Sequence, residues 1–394
     1  MRKIVTLPFC SKLSIAITVV FAVSLIIMWF SFVKSGLFWL DYEGQWLICR
    51  HIIEGVNPYL HTESNPFFVE GLSPVPFGFG TSPWGCITGI VFYPGFLSYS
   101  SAQIWFVVLA ILLYVATSVH AFRKVDADKR IYVIMMSLLG TVAYWYSVRG
   151  GNAGSMMCLL LFLTVMLKDC HHFLAGLCLA FALIKPQVSL LICLYLLLDK
   201  KYITLFVAAL INILAYAGVS VILKTNPIEL LRQFFACNIG GGEMYNGIMS
   251  LFSPALFDYN KAMYASMVVG TTYAVVMYIV MKDRKHISCW RLSLPFFLAT
   301  VFWCYSWGSE YVIMLPICAM FDPVCFPKDI FKRLLFVILV FLCIFVNAIF
   351  WRLSPFIDTA YLLQTILFTI ITLIFTYLTL NSNNCAINTK LNRF

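Results

Sequence analysis

The side chains able to do chemistry are a few acids and bases set between long apolar stretches. Asp41 and Glu43 stand in Trp39-Leu40-Asp41-Tyr42-Glu43-Gly44-Gln45-Trp46, which runs on to Gly55-Val56-Asn57-Pro58-Tyr59. A general base must be ionised, and the first turn of a helix favours a carboxylate through the macrodipole. Asp41 therefore reads as a candidate base, with a plain helix cap as the alternative. Glu43 is the second carboxylate of the pair, expected to face water together with Arg50 and Glu54. Arg149 and Lys185 lie at the ends of apolar segments, where an ionised side chain is costly unless it has a partner or a cavity. A lipid phosphate is such a partner, since Arg offers a planar fork and Lys a mobile point charge. Snorkelling to ordinary anionic headgroups is the competing role. The His and Cys residues show no metal-ligand spacing, and no Ser or Cys has a nucleophile context, so neither a structural metal nor covalent catalysis is expected. No cofactor is expected either, although a divalent ion bridging Asp41 or Glu43 to a phosphate stays open.

The elements that must position these groups are membrane helices. Of 394 residues, 62% are hydrophobic and 11% charged, and apolar runs of spanning length recur along the chain. Continuous apolarity excludes a membrane β-barrel, whose strands alternate. The expected fold is all-α, a single polytopic domain over residues 1–394 with about twelve spans. These lie near 13–33, 101–122, 131–148, 152–167, 172–184, 187–198, 202–223, 262–281, 290–306, 311–322, 333–351 and 360–380. Residues 81–97 are apolar but short and rich in Pro and Gly. If they do not cross, 19 of the 27 Lys and Arg fall on the side of the N-terminus. The positive-inside rule then places both termini in the cytoplasm, and segments 35–100 and 224–261 outside. A net charge of +10 thus reports membrane topology and not a nucleic-acid partner. Segment 39–53 is expected to be a helix parallel to the membrane, resting Trp39, Tyr42, Trp46, Cys49 and Ile53 in the headgroups, with Gly55 as its C-cap.

Several short motifs in this order resemble glycosyltransferase family 87, a branch of the C-type superfamily of polytopic enzymes that use polyprenyl-phosphate sugars. An acidic residue after the first span and a helix ending in Gly-x-x-Pro-Tyr match Asp41 through Tyr59. Ser82-Pro83-Trp84-Gly85 is similar to the second juxtamembrane helix. Arg149-Gly150-Gly151-Asn152 is similar to the Gly-Gln-x-Asn or Arg-Gly-Asn turn, and Ala175-Gly176-Leu177 with Ile184-Lys185-Pro186 to the Ala-Gly-Leu helix ending in Lys-Pro. Tyr245-Asn246-Gly247 and Tyr305-Ser306-Trp307-Gly308-Ser309-Glu310 resemble two later segments, with Ser309 and Glu310 where the family carries His.

The resemblance implies an inverting hexosyltransferase on the outer face of the cytoplasmic membrane. Its donor would be a polyprenyl-phosphate sugar, with a hexose such as mannose, and its acceptor a glycolipid or surface glycan. Asp41 or Glu43 would be catalytic, and Arg149 and Lys185 would bind the donor phosphate. Asn152, Asn246, Trp307 and Glu310 would contact substrate, Glu310 having a salt bridge as its other reading. A transporter or flippase of lipid-linked saccharides is the competing class, but it does not need the acidic juxtamembrane helix. A polysaccharide polymerase shares the donor and differs in what is transferred.

Overall fold

The computed structural model describes residues 40–59, 82–124, 130–238, 259–282, 291–300, 303, 317, 335–343, 363 and 366–377. Every regular element among them is helical. The principal ones, in chain order, are α1 (Leu40–Ile53), α2 (Pro83–Thr88) with a following 3-10 turn (Gly89–Val91), α3 (Tyr99–Lys124), α4 (Arg130–Arg149), α5 (Gly154–Leu167), α6 (His172–Ala182) and α7 (Pro186–Leu198). Then come α8 (Tyr202–Ile222), α9 (Pro227–Asn238), α10 (Tyr259–Lys282) and α11 (Leu294–Thr300). Three of these contain stretches long and apolar enough to cross a membrane, Tyr99–Arg123, Tyr202–Ile222 and Tyr264–Lys282. The protein is a helical membrane protein. The expected spans at 13–33 and 311–322 fall almost wholly outside the described residues.

Residues 82–98 contain only the six-residue α2, one 3-10 turn and an irregular bend. Pro83 at the first helical position and the Pro94-Gly95 break explain why an apolar stretch stops so soon. As expected, it forms no helix of crossing length.

Three of the expected spans prove short. α5, α6 and α7 have 14, 11 and 13 residues, or roughly 21, 17 and 20 Å at 1.5 Å per residue, against about 30 Å of hydrocarbon. α8, with 21 residues, is about 32 Å long. The short helices and α8 share one charged end. There Lys168, fully buried, pairs with Asp199 at 2.6 Å and Asp169 at 3.1 Å, while Lys201 pairs with Asp169 at 2.6 Å. A buried ammonium requires such partners, and they tie the α5–α6 turn to the α7–α8 turn. Starting from this level, α5–α7 end about 10–15 Å short of the far end of α8.

That recess is where α1 and α2 sit. α6 packs flush along α8 because Gly176 has no side chain, since a Cβ there would lie 2.6 Å from Val207 Cβ and 3.0 Å from the Thr204 carbonyl oxygen. Lipid gives helices no hydrophobic drive to associate, so such small-residue approaches supply the packing. α2 fills the space above α6 against Gly218 and Val219 of α8. Its Trp84 indole N–H donates to the Leu183 carbonyl at 3.0 Å, and Ser82 Oγ donates to that of Ile184 at 3.3 Å. These are carbonyls that the end of α6 would otherwise leave unpaired.

Candidate active site

α1 ends as its sequence suggests. Gly55 takes φ +75°, its N–H bonds to the Ile52 carbonyl at 3.0 Å, and the Val56 N–H bonds to that of His51 at 2.8 Å. This paired cap needs a left-handed residue, hence Gly. Asn57 then turns the chain by accepting the Tyr59 N–H at 2.9 Å, and its amide donates to Gln233 of α9 at 2.9 Å.

The faces of α1 differ from expectation. Tyr42, Trp46 and Cys49 are buried in protein and not in headgroups, with Tyr42 against Tyr93, Tyr99 and Phe106. Ile53, assigned to the apolar face, is 44% exposed, whereas Ile48 and Ile52 are buried against α2, α8 and α9. The recess therefore covers two sides of α1, so a one-stripe reading of a surface helix undercounts its buried positions.

Glu43 is corrected with it. Its residue is half-buried, and its Oε1 is shut off from solvent with no hydrogen-bond partner among the described residues. Burial holds its carboxyl above the usual carboxylate range. An orphaned carboxylate oxygen is costly in a fold and common where a proton must be accepted. The folded state therefore binds this proton more tightly than the unfolded chain, and stability falls as pH rises from about 4.3 through the raised value. Glu43→Gln is expected to melt higher than wild type at pH 7 and no higher at pH 4. Thermal scans at the two pH values check this.

The basic half of the site is held on α1 by one turn. After α4, Gly151 takes φ +71°, with its N–H on the Val148 carbonyl at 2.9 Å and the Asn152 N–H on that of Ser147 at 3.2 Å. It is the same cap as at Gly55, and Arg149 is the last residue of α4. Gly151 also abuts α1: a Cβ there would fall 2.3 Å from Tyr42 Cβ and 2.9 Å from Tyr42 N. Tyr93 locks the turn from the other side, donating to the Gly151 carbonyl at 3.2 Å and accepting the Ala153 N–H at 3.1 Å. Asn152 Oδ1 then accepts Lys185 Nζ at 2.6 Å. Lys185 occupies the break between α6 and α7 that Pro186 enforces.

α1, which carries Asp41 and Glu43, thus meets the turn that follows Arg149 at the Tyr42–Gly151 contact, and the next residue of that turn, Asn152, holds Lys185. Asn246, Trp307 and Glu310 lie outside the described residues. Sequence marks Tyr42 only as part of an apolar helix face and Tyr93 only by the Tyr93-Pro94-Gly95 turn signal, and neither pattern reveals that the two residues build the site. Among the described residues, no three His, Cys, Asp or Glu side chains gather as a metal site would need.

Residues 85–241 match the model of glycosyltransferase family 87. The match starts inside α2 and ends just past α9, covering less than half of the chain. It includes the Arg149–Asn152 turn, the Gly176 helix and Lys185, and supports the family those motifs resemble. It leaves Asp41 and Glu43 outside. A match to this family implies a glycosyltransferase, with a sugar donor and an acceptor as its substrates. No curated protein and no solved structure matches the chain.

Proposed function

We propose that this membrane glycosyltransferase moves a hexose from a polyprenyl-phosphate donor to a glycolipid or surface-glycan acceptor on the outer face of the cytoplasmic membrane. The observation that carries the proposal is the join of an acidic helix to a basic turn, with Gly151 pressed on Tyr42 and Lys185 held by Asn152. A helix carrying carboxylates joined to a turn that holds an ammonium suits a single displacement. Asp41 takes the proton of the acceptor hydroxyl as its oxygen attacks the anomeric carbon. The bond from that carbon to the phosphate oxygen breaks, and the electron pair leaves with polyprenyl phosphate. Arg149 and Lys185 stabilise the charge that grows there. One displacement inverts the anomeric centre. Asn246, Trp307 and Glu310 contact the sugars.

Glu43 is favoured as the alternative base by its screened oxygen, partnerless among the described residues, and its raised affinity for a proton. The recess suits the donor as well, because a phosphate at headgroup depth meets Lys185 below the far end of α8.

The test is to incubate purified protein with a panel of polyprenyl-phosphate sugars and an acceptor, and to measure free polyprenyl phosphate. Release with an inverted product is expected. Movement of intact lipid-linked saccharide across vesicles without release would replace the enzyme by a flippase. Arg149→Ala and Lys185→Ala are each expected to weaken donor binding by roughly 1.5–3 kcal/mol, the range for hydrogen bonds to charged groups. Unchanged affinity in both variants would reduce the two residues to headgroup anchors.

A further inference from the structure

The family resemblance implies a substrate contact for Asn152, but the structure engages its amide oxygen within the protein. Oδ1 accepts Lys185 Nζ at 2.6 Å and the Gly154 N–H at 2.8 Å. Both partners can only donate, which identifies the accepting atom as the oxygen, and two donors fill its two lone pairs. The residue is 7% exposed. Its main chain is fixed too, since the N–H donates to the Ser147 carbonyl and the carbonyl accepts Ser147 Oγ, each at 3.2 Å. The Tyr93 and Gly151 contacts hold this turn against α1. Lys185 contrasts with it, being a long side chain on the non-helical residue before Pro186. A lysine ammonium on four rotatable bonds samples many positions unless something holds it.

We infer that Asn152 is a positioning residue that fixes the Lys185 ammonium for the phosphate of the lipid-linked donor. This inference rests on the phosphate role proposed above for Lys185. The residue type explains itself on those terms. An aspartate at 152 would set a negative charge against the ammonium, whereas the neutral amide takes one N–H and adds no charge beside it. Because Oδ1 also caps the Gly154 N–H at the start of α5, the lysine is referenced to a buried helix.

The test uses full-length protein, Asn152→Ala, Asn152→Asp, Lys185→Ala and the Asn152→Ala/Lys185→Ala double variant. The probes are polyprenyl phosphate without sugar and the sugar-bearing donor. Asn152→Ala is expected to weaken both ligands by the same factor, roughly tenfold or more. It should add nothing further once Lys185 is gone. Asn152→Asp keeps an oxygen for both hydrogen bonds, so it carries the test should Asn152→Ala fold poorly; it is expected to weaken both ligands through the added negative charge and to slow labelling of Lys185 by an amine reagent. Weakening confined to the sugar-bearing donor would make Asn152 a sugar contact and overturn the inference. Lys185 labelling unchanged in both Asn152 variants would overturn it on its own. Sugar-free polyprenyl phosphate binding unchanged in Lys185→Ala would instead remove the phosphate role, and positioning for a phosphate with it.

Discussion

Asp41→Asn is expected to leave a folded protein that has lost about 10²- to 10⁴-fold of its turnover, the usual contribution of a general base. The amide keeps a side-chain oxygen that can cap a helix, so a residue that only caps α1 would tolerate the change. Donor affinity and protein yield should stay near wild type. Glu43→Gln is the necessary companion. One oxygen of the half-buried Glu43 is shut off from solvent and has no partner among the described residues, which gives it a stronger claim than a solvated charge would have. Should Glu43 be the base, Glu43→Gln would give the larger loss and Asp41→Asn the smaller. Rates of polyprenyl phosphate release from the two variants rank them. Near-wild-type rates from both would end the proposed mechanism and reopen the transporter reading.

The second large effect is expected at Gly151. Gly151→Ala must place a side chain in a left-handed backbone, which costs about 1–2 kcal/mol. It must also force Cβ into the backbone and side chain of Tyr42, where the approach would be 2.3 Å, and overpacking of that kind costs roughly 1–3 kcal/mol more. Relief comes only if α1 separates from the turn. The expected outcome is a lowered Tm together with a loss of activity greater than the loss of folded protein, since acid and base are no longer held at one distance. Circular dichroism melts and single-turnover rates on the folded fraction measure the two parts. A Gly151→Ala protein with native stability and rate would show that α1 does not depend on this contact.

The Arg149-Gly150-Gly151-Asn152 turn shows how far sequence alone reaches. Its residue types announce a helix stop and a basic group at the end of a span, because a left-handed cap needs Gly and an ionised Arg at the end of an apolar segment needs a reason. The same holds for Gly55, for Pro186 after Lys185, and for the Pro and Gly that end α2 early. These are local rules, set within a few residues, and the helical membrane class follows likewise from composition. What Gly151 touches is not local. That it meets Tyr42, 109 positions away by residue number, depends on α5–α7 stopping short of α8 and on α2 and α1 filling the gap, and no residue near position 151 encodes those lengths. The corrected burial of Glu43 has the same origin. One helical stripe predicts one buried face, but a recess closed on two sides also screens a carboxylate that periodicity assigns to water. Asn152 is the sharpest instance. Its motif offers an amide that the family resemblance places near a substrate, and only the packing of α5 against the α6–α7 break commits its oxygen to Lys185. Residue type determined which groups can carry charge and turn the chain, and tertiary structure decided which of them meet, because a hydrogen bond requires about 3 Å and sequence separation sets no distance.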